Sequence, residues 1–135
     1  MSAEMTTALQ AACESVLPGA VFPNVYTGPL LRYIVWNYDE IPAVYAERAP
    51  RASRYLVQVH FYLPQKEEPL TGIQALRRAM FDRQFTWPSL TDASDSDGQH
   101  YVLECQYADG GGFYNGVNTS SAAAAAPSPQ GEGRS

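Results

Sequence analysis

The fold is decided by the stretch Tyr55-Leu56-Val57-Gln58-Val59-His60-Phe61-Tyr62-Leu63. Apolar and aromatic side chains occupy every second position from Tyr55 to Leu63, and polar Gln58 and His60 lie between them. Successive side chains of a β-strand point to opposite faces, so this alternation predicts a strand with one buried face. Pro64 ends the stretch, because a proline has no N–H to donate to a sheet.

Other strands are predicted on both sides of this stretch. The segments with strand-like composition are 32–38, 43–46, a segment that begins at 85–88, and 100–107. Asp39-Glu40-Ile41-Pro42 is expected to break the chain between the first two, and 47–53 is expected to be a polar loop. The Asp- and Ser-rich residues 91–98 predict an exposed turn, so the last two segments are expected to pair as a hairpin.

Two helices complete the predicted fold. Residues 3–17 carry apolar side chains at helical spacing and end at Pro18, and a second helix follows Pro64 and ends near 81–83. Between them, 18–31 is dense in Pro and Gly and predicts a loop with a short extended piece at 21–26. The fold class is therefore α+β: a small, mostly antiparallel mixed sheet of about four to five strands with two helices packed on it, in the order α-β-β-β-α-β-β.

The C-terminal part of the chain differs in composition from the rest. A single domain is predicted over 1–107, a Gly-rich arm over 108–118 and a disordered tail over 119–135, where alanines, prolines and small polar residues dominate. The sequence begins without a basic and apolar leader, and it contains no apolar run of membrane-spanning length. We therefore expect neither a signal peptide nor a membrane segment.

Charge and aromatic content narrow the classes of function. The net charge is −5, charged residues make up 17% of the chain, and there are nine tyrosines. An acidic chain lacks the basic footprint of a general nucleic-acid binder. Tyrosine is enriched at protein interfaces, although a tyrosine-rich core explains the same composition. Cys13 and Cys105 are expected to be two buried thiols in a reducing compartment.

No catalytic or metal-binding pattern stands out. His60 and His100 lie on predicted strands and could approach each other if those strands pair, yet two ordinary surface histidines are the simpler interpretation. The adjacent carboxylates at 39–40 and 67–68 point in different directions and make poor acid–base pairs. Asp92, Asp95 and Asp97 are spaced as in a calcium loop, but the closing Glu is missing. We expect no enzyme activity, cofactor or metal.

A family resemblance supplies a function. The segment Tyr33-Ile34-Val35-Trp36-Asn37-Tyr38-Asp39-Glu40, with Pro42 and Tyr45 after it, resembles the tail-terminator and tail-completion proteins of long-tailed bacteriophages. The resemblance continues through 55–64 and reappears at Phe85, Trp87-Pro88 and 99–105, so that it covers roughly 20–107. The predicted order of helix, strands, helix and hairpin agrees with that family.

The resemblance implies a structural role in the virion. Such proteins form a ring, typically a hexamer, that caps the tail tube, stops its polymerisation and joins the tail to the head connector. The implied partners are other copies of the chain, the tail tube protein, the head-closure connector and genomic DNA passing through the lumen. The implied location is the tail neck of the virion, after assembly in the cytoplasm of the host bacterium.

Particular residues follow as candidates for this role. The predicted subunit or partner interface consists of Trp36, Tyr38, Tyr45, Arg48, Arg51, Arg54 and Tyr62. The arginines at 48–54 could meet a partner's carboxylates, although a solvated loop is the simpler interpretation. The acidic loop with Asp92, Asp95 and Asp97 is predicted to face the lumen or the tube, where carboxylates would repel the phosphates of passing DNA.

Three alternatives fit the same sequence: a head-side neck protein, a small ligand-binding or enzymatic domain, and an unrelated host-cell interaction module with the same α+β pattern. A head-closure or adaptor protein on the head side of the neck also forms a ring and would share this composition. A small ligand-binding or enzymatic α+β domain would need a pocket with convergent polar groups, for which His60 and His100 are the candidates.

Overall fold

Helices and strands follow one another along the chain in the predicted order. The computed structural model describes residues 3–46 and 49–108, without the side chains of 42–53. Its elements are α1 (Ala3–Val16), β1 (Val21–Pro23), β2 (Tyr33–Ala46), β3 (Ala49–Leu63), α2 (Leu70–Phe81), β4 (Ser89–Asp92) and β5 (Gln99–Ala108). The predicted α+β class and the order α-β-β-β-α-β-β are confirmed.

The strands form one mixed sheet in the order β1-β2-β3-β5-β4. β1 runs parallel to β2, with Val21 opposite Ile34. β4 and β5 are antiparallel, with Ser89 opposite Glu104 and Asp92 opposite Tyr101, so the predicted hairpin is confirmed. The deciding stretch lies in β3, which is the central strand of the sheet.

Three predicted boundaries are wrong. β2 continues through 39–42, where a break was expected, and β3 begins at Ala49, inside the expected loop. A proline is tolerated in a strand where one edge has no neighbour, and β1 pairs with β2 only from Ile34 to Trp36. Acidic residues disfavour strands weakly, and pairing of β2 with β3 outweighs them. The fourth strand is Ser89–Asp92 rather than a segment beginning at 85–88. The segments 32–38 and 43–46, predicted as two strands, belong to the single strand β2. Three strands nevertheless lie between the helices, because the short β1 precedes β2.

One core joins both helices to one face of the sheet. Met5, Leu9, Ala12 and Cys13 of α1 and Ile73, Leu76 and Met80 of α2 are buried together with alternate residues of β3 and β5. The odd-numbered residues of β3 from Tyr55 to Leu63 are all buried, as the alternation predicts. Cys13 and Cys105 are buried free thiols, and burial raises the pKa of each to about 12.

Both ends of α2 are set by short-range hydrogen bonds. The carboxylate of Glu68 accepts hydrogen bonds from the backbone N–H of Leu70 and of Thr71, which satisfies donors that have no partner inside the helix. At the other end, the N–H of Phe85 donates to the Met80 carbonyl at 3.2 Å, and that of Gln84 donates to the Phe81 carbonyl at 3.1 Å. With Gln84 at φ 78°, this pattern is a Schellman motif, and it turns the buried Phe85 back onto Met80.

The chain divides into two units. The first contains 3–40 and 55–107 of the described residues, and the second contains 41–46, 49–54 and Ala108. The second unit thus takes the C-terminal part of β2 and the N-terminal part of β3. The predicted arm over 108–118 and tail over 119–135 lie, apart from Ala108, outside the described residues, and the predicted domain boundary stays a prediction.

Candidate functional site

The face of the sheet opposite the helices carries the candidate site. Alternation along each strand places Tyr33 and Asn37 of β2, Gln58 and His60 of β3, and Glu104 of β5 on this side. These side chains are half-buried or exposed, whereas their neighbours in sequence point into the core. Neither helix packs here, because the buried stripes of α1 and α2 both belong to the core on the other side. We call this surface the open face.

A row of ring side chains crosses the open face and continues into the loop after β1. It consists of Phe22, Tyr26, Tyr33, Tyr62, His100 and His60, and we call it the aromatic row. Tyr33 and Tyr62 stack with ring centroids 4.5 Å apart. Tyr62 stacks in turn on His100 at 4.2 Å, and Phe22 stacks on Tyr26 at 4.2 Å. Stacked rings limit one another's rotation, so the row is a preorganised surface.

His60 and His100 meet at one end of the aromatic row. His60 Nδ1 lies 2.9 Å from His100 Nε2, so the two rings share a hydrogen bond. The predicted approach of these residues is thereby confirmed. Burial lowers the pKa of both histidines, and the neighbouring His100 lowers that of His60 further. Glu104 acts in the opposite direction on His60, as does Asp95 on His100, but burial is the larger cause in each case.

A shallow groove lies on the open face beside β5. Its volume is about 410 Å³, and its lining includes Asn37, Asp39, Gln58, Thr86, Trp87 and Glu104. Gln58 Nε2 donates to Glu104 Oε2 at 2.7 Å, which holds both side chains along the groove floor. The groove therefore offers amide, hydroxyl and carboxylate groups next to the exposed indole of Trp87, and the Ser89 hydroxyl in its lining donates to the Glu104 backbone carbonyl at 3.3 Å.

The described residues contain neither a metal cluster nor a membrane span. No group of three or more His, Cys, Asp or Glu side chains converges among them. Neither α1 nor α2 is long and apolar enough to cross a bilayer. His60 and His100 are thus two potential metal ligands that lie side by side, and the described residues do not supply a third ligand for them.

The predicted interface residues fall in different environments. Tyr62 lies in the aromatic row, and Arg54 is half-buried. Trp36 lies in the core with 7% exposure, and its Nε1 donates to Gln10 Oε1 of α1 at 2.8 Å, so it offers little area to a partner. Tyr38 packs edge-on against Tyr55 with ring centroids 5.7 Å apart. The predictions for Tyr45, Arg48 and Arg51 concern side chains outside those that the structure describes.

The predicted acidic loop is exposed and well ordered. Asp92 at the end of β4, and Asp95 and Asp97 in the loop that leads to β5, are all exposed. Asp92 Oδ1 accepts a hydrogen bond from the Ser94 N–H at 2.9 Å, and Asp95 Oδ1 accepts one from the Asp97 N–H at 2.9 Å. Each carboxylate thus fixes its own turn. The prediction that this loop faces a lumen or a tube stays a prediction.

Sequence reasoning missed most of the aromatic row. Phe22 and Tyr26 belong to the segment 18–31, which the sequence predicts to be a loop with a short extended piece at 21–26, and the strand predicted at 32–38 assigns Tyr33 to neither face. The alternation of Tyr33 with buried Ile34 was the signal that could have placed it on the open face. The meeting of Tyr33 with Tyr62 depends on strand neighbours, which the sequence leaves open.

Comparison with known proteins gives no relative. No protein-family model matches the chain, and a search of curated proteins likewise returned no match.

Proposed function

We propose that the chain is a structural subunit of a bacteriophage tail neck, a tail-terminator or tail-completion protein that assembles as a ring on the tail tube. The ring would stop tube polymerisation and present a surface to the head connector. This proposal combines the family resemblance carried by 33–45, 55–64 and 99–105 with the geometry of the open face.

The observation that carries the proposal is the uncovered aromatic row. Rings that stand in contact on an open sheet face supply large, rigid contact area at small entropic cost, which favours binding to another protein. The groove beside the row has polar walls, and the Ser89 hydroxyl in it donates to the Glu104 backbone carbonyl instead of to a carboxylate. Geometry of this kind favours a binding surface over an active site.

Two further features support a neck protein. The order α-β-β-β-α-β-β is the order that the resemblance implies, with both helices on one side of a small mixed sheet. The net charge of −5 also fits a ring through which DNA must pass without being held, since carboxylates repel phosphates.

A tube-elongation experiment tests the proposal. Tubes assembled from the tail tube protein of the same genome would be mixed with the full chain and then supplied with fresh tube protein. We expect negative-stain images to show a ring at one tube end and elongation at that end to stop. A matched sample with a double variant of the aromatic row, Tyr33→Ser and Tyr62→Ser, should elongate faster, because the row would lose its contact area.

Two outcomes would contradict this assignment. If the chain binds isolated head connectors and leaves tube elongation unchanged, the head-side neck role replaces the tail-side one. If it binds neither tubes nor connectors, the neck function is wrong, and ligand binding at His60, His100 and the groove becomes the leading hypothesis.

A further inference from the structure

A second exposed surface lies at the C-terminal end of α2 and shares only Trp87 with the groove on the open face. Phe81 and Trp87 are 45% and 46% exposed, and their rings meet edge to face with centroids 5.7 Å apart. The guanidinium carbons of Arg77 and Arg78 lie 5.9 and 5.5 Å from the centroid of the Trp87 ring. We call these four residues the Arg/Trp patch.

The arginines of the patch are positioned but retain donors for a partner. Arg77 Nε donates to the Pro88 carbonyl at 3.1 Å, which fixes the side chain beside Trp87. Arg78 Nη1 lies 3.8 Å from the Asp82 carboxylate in a solvent-exposed pair, an arrangement that contributes little energy. A guanidinium carries five N–H donors, so both cations can still bind carboxylates.

A helix end alone does not account for the patch. Cations at a helix C-terminus complement the macrodipole, which explains the charges of Arg77 and Arg78. It does not explain why two large rings stand half exposed against them. Tryptophan and arginine are the residue types that contribute most to binding energy at protein interfaces, so this combination is typical of a docking site for an acidic partner.

The chain itself carries a loop with complementary charge. Asp92, Asp95 and Asp97 expose three carboxylates on the loop between β4 and β5. The N–H of Asp95 donates to the Gly98 carbonyl at 3.1 Å, and Gln65 Nε2 donates to the Asp95 carbonyl at 2.7 Å. The loop is therefore ordered before any partner arrives, which reduces the entropy lost on binding.

Within one chain the patch and the loop stand at opposite ends of β4. Trp87 lies two residues before this strand and Asp92 is its last residue. Extended chain rises by about 3.3 Å per residue, so the two are separated by a distance on the order of 15 Å. In the described residues the patch arginines contact Asp82 and Pro88 instead of the loop.

We propose that the Arg/Trp patch of one copy binds the acidic β4–β5 loop of the next copy. The contact joins two different surfaces, so it repeats head to tail and generates a ring when the rotation closes. This inference rests on the proposed ring function and identifies its subunit contact. It assigns Asp92, Asp95 and Asp97 to the interface between copies instead of to the lumen.

Charge reversal on each side tests the contact. The patch variant is Arg77→Glu with Arg78→Glu, and the loop variant is Asp92→Arg with Asp97→Arg. Alone, each variant would bring like charges together at every contact, and we expect the concentration needed for half-assembly to rise by at least about tenfold. Glu4→Arg, an exposed charge change at the start of α1, is the control and should assemble as the wild type does.

Mixing the two variants in equal amounts provides the decisive arm. Every patch would then find a loop of opposite charge on the other variant, so rings with alternating subunits should form again. Restored assembly would also show that both variants are folded. Native mass measurement and negative-stain imaging of the mixture would detect these rings.

The outcomes separate this inference from the function on which it rests. If wild type and both variants form rings equally well, the contact is wrong and the neck function stands. If variant rings form but no longer bind tubes, the inference is also wrong, and the patch belongs to the tube contact. If the wild type assembles neither alone nor on tubes, both proposals fail.

Discussion

At the scale of residues, the contact between His60 and His100 depends on protonation. Their nitrogens are 2.9 Å apart, so one ring must donate a proton and the other must accept it. Two imidazolium rings would both be donors and would repel each other. The lowered pKa of each histidine also favours the neutral rings, since burial disfavours the charged form.

This contact predicts a pH dependence of stability. Because the folded pKa values lie below the ordinary value of 6.5, the unfolded chain binds protons more readily than the folded chain. The stability that comes from keeping both histidines neutral is fully present above pH 6.5. It is lost as the pH falls from 6.5 toward the lowered pKa values of the folded chain. Denaturant unfolding between about pH 5 and 8 should show the free energy of unfolding falling in this window.

The double variant His60→Gln with His100→Gln is the comparison for this prediction. Its free energy of unfolding should fall less steeply over the same window, because the two titrating groups are gone. Carboxylates titrate at lower pH and remain in both proteins, so the difference between the two slopes isolates the histidines. Identical slopes would contradict the prediction.

Gln99 shows why some residue roles escape sequence reasoning. The sequence places it at the edge of an exposed turn, yet it is 8% exposed and its Nε2 donates to the carbonyls of Pro64 and Glu67 at 2.8 and 2.7 Å. These bonds tie the start of β5 to the segment before α2. The partners are more than thirty residues away, so only the fold reveals the pairing.

At the scale of elements, α2 approaches β3 at a glycine. A Cβ built on Gly72 would lie 2.8 Å from two ring carbons of Phe61, which is buried at 3% exposure. A glycine inside a helix costs about 1 kcal/mol relative to alanine. Close packing against Phe61 explains why the helix tolerates that cost.

Gly72→Ala should therefore destabilise the protein. Steric overlap with Phe61 is expected to outweigh the gain in helix propensity and lower the free energy of unfolding by about 1–2 kcal/mol. In a double-mutant cycle, Phe61→Leu should reduce the loss caused by Gly72→Ala, because the smaller side chain makes room. Denaturant unfolding of the four proteins measures this, and a stabilising Gly72→Ala would refute the packing argument.

The spacing of apolar residues predicted the helices and strands better than it predicted the residues at which they begin and end. The alternation of 55–63 and the helical spacing of 3–17 are local patterns, and both gave the correct element and buried face. The continuation of β2 through 39–42 and the early start of β3 depend on pairing with another strand. Local breaker residues carry no information about that partner, so both limits were misplaced.

At the scale of the whole molecule, two groups of exposed ring side chains among the described residues are candidates for binding. One is the aromatic row on the open face, and the other is the Arg/Trp patch at the end of α2. A ring subunit needs contacts with its neighbours and with the tube below it, which requires more than one surface. The account assigns the patch and the acidic loop to neighbouring copies, and the open face to the tube.

The sequence could indicate the composition of these surfaces but not their arrangement. Tyr62, His60 and His100 were candidates from the sequence, and the structure places all three in one row. Trp36 was also a candidate, but the strand face on which it lies is covered by α1. Assigning a side chain to the core or the open face required knowing which face the helices cover.

Native mass across a concentration series, measured with and without tail tubes, tests the central claim most directly. We expect one discrete species that is a small multiple of the 14.8 kDa chain, a hexamer as the family resemblance implies, formed alone or at tube ends. A closed ring gives one such mass, whereas open head-to-tail association gives a continuous series. A monomer at every concentration that also leaves the tubes unbound would contradict the account.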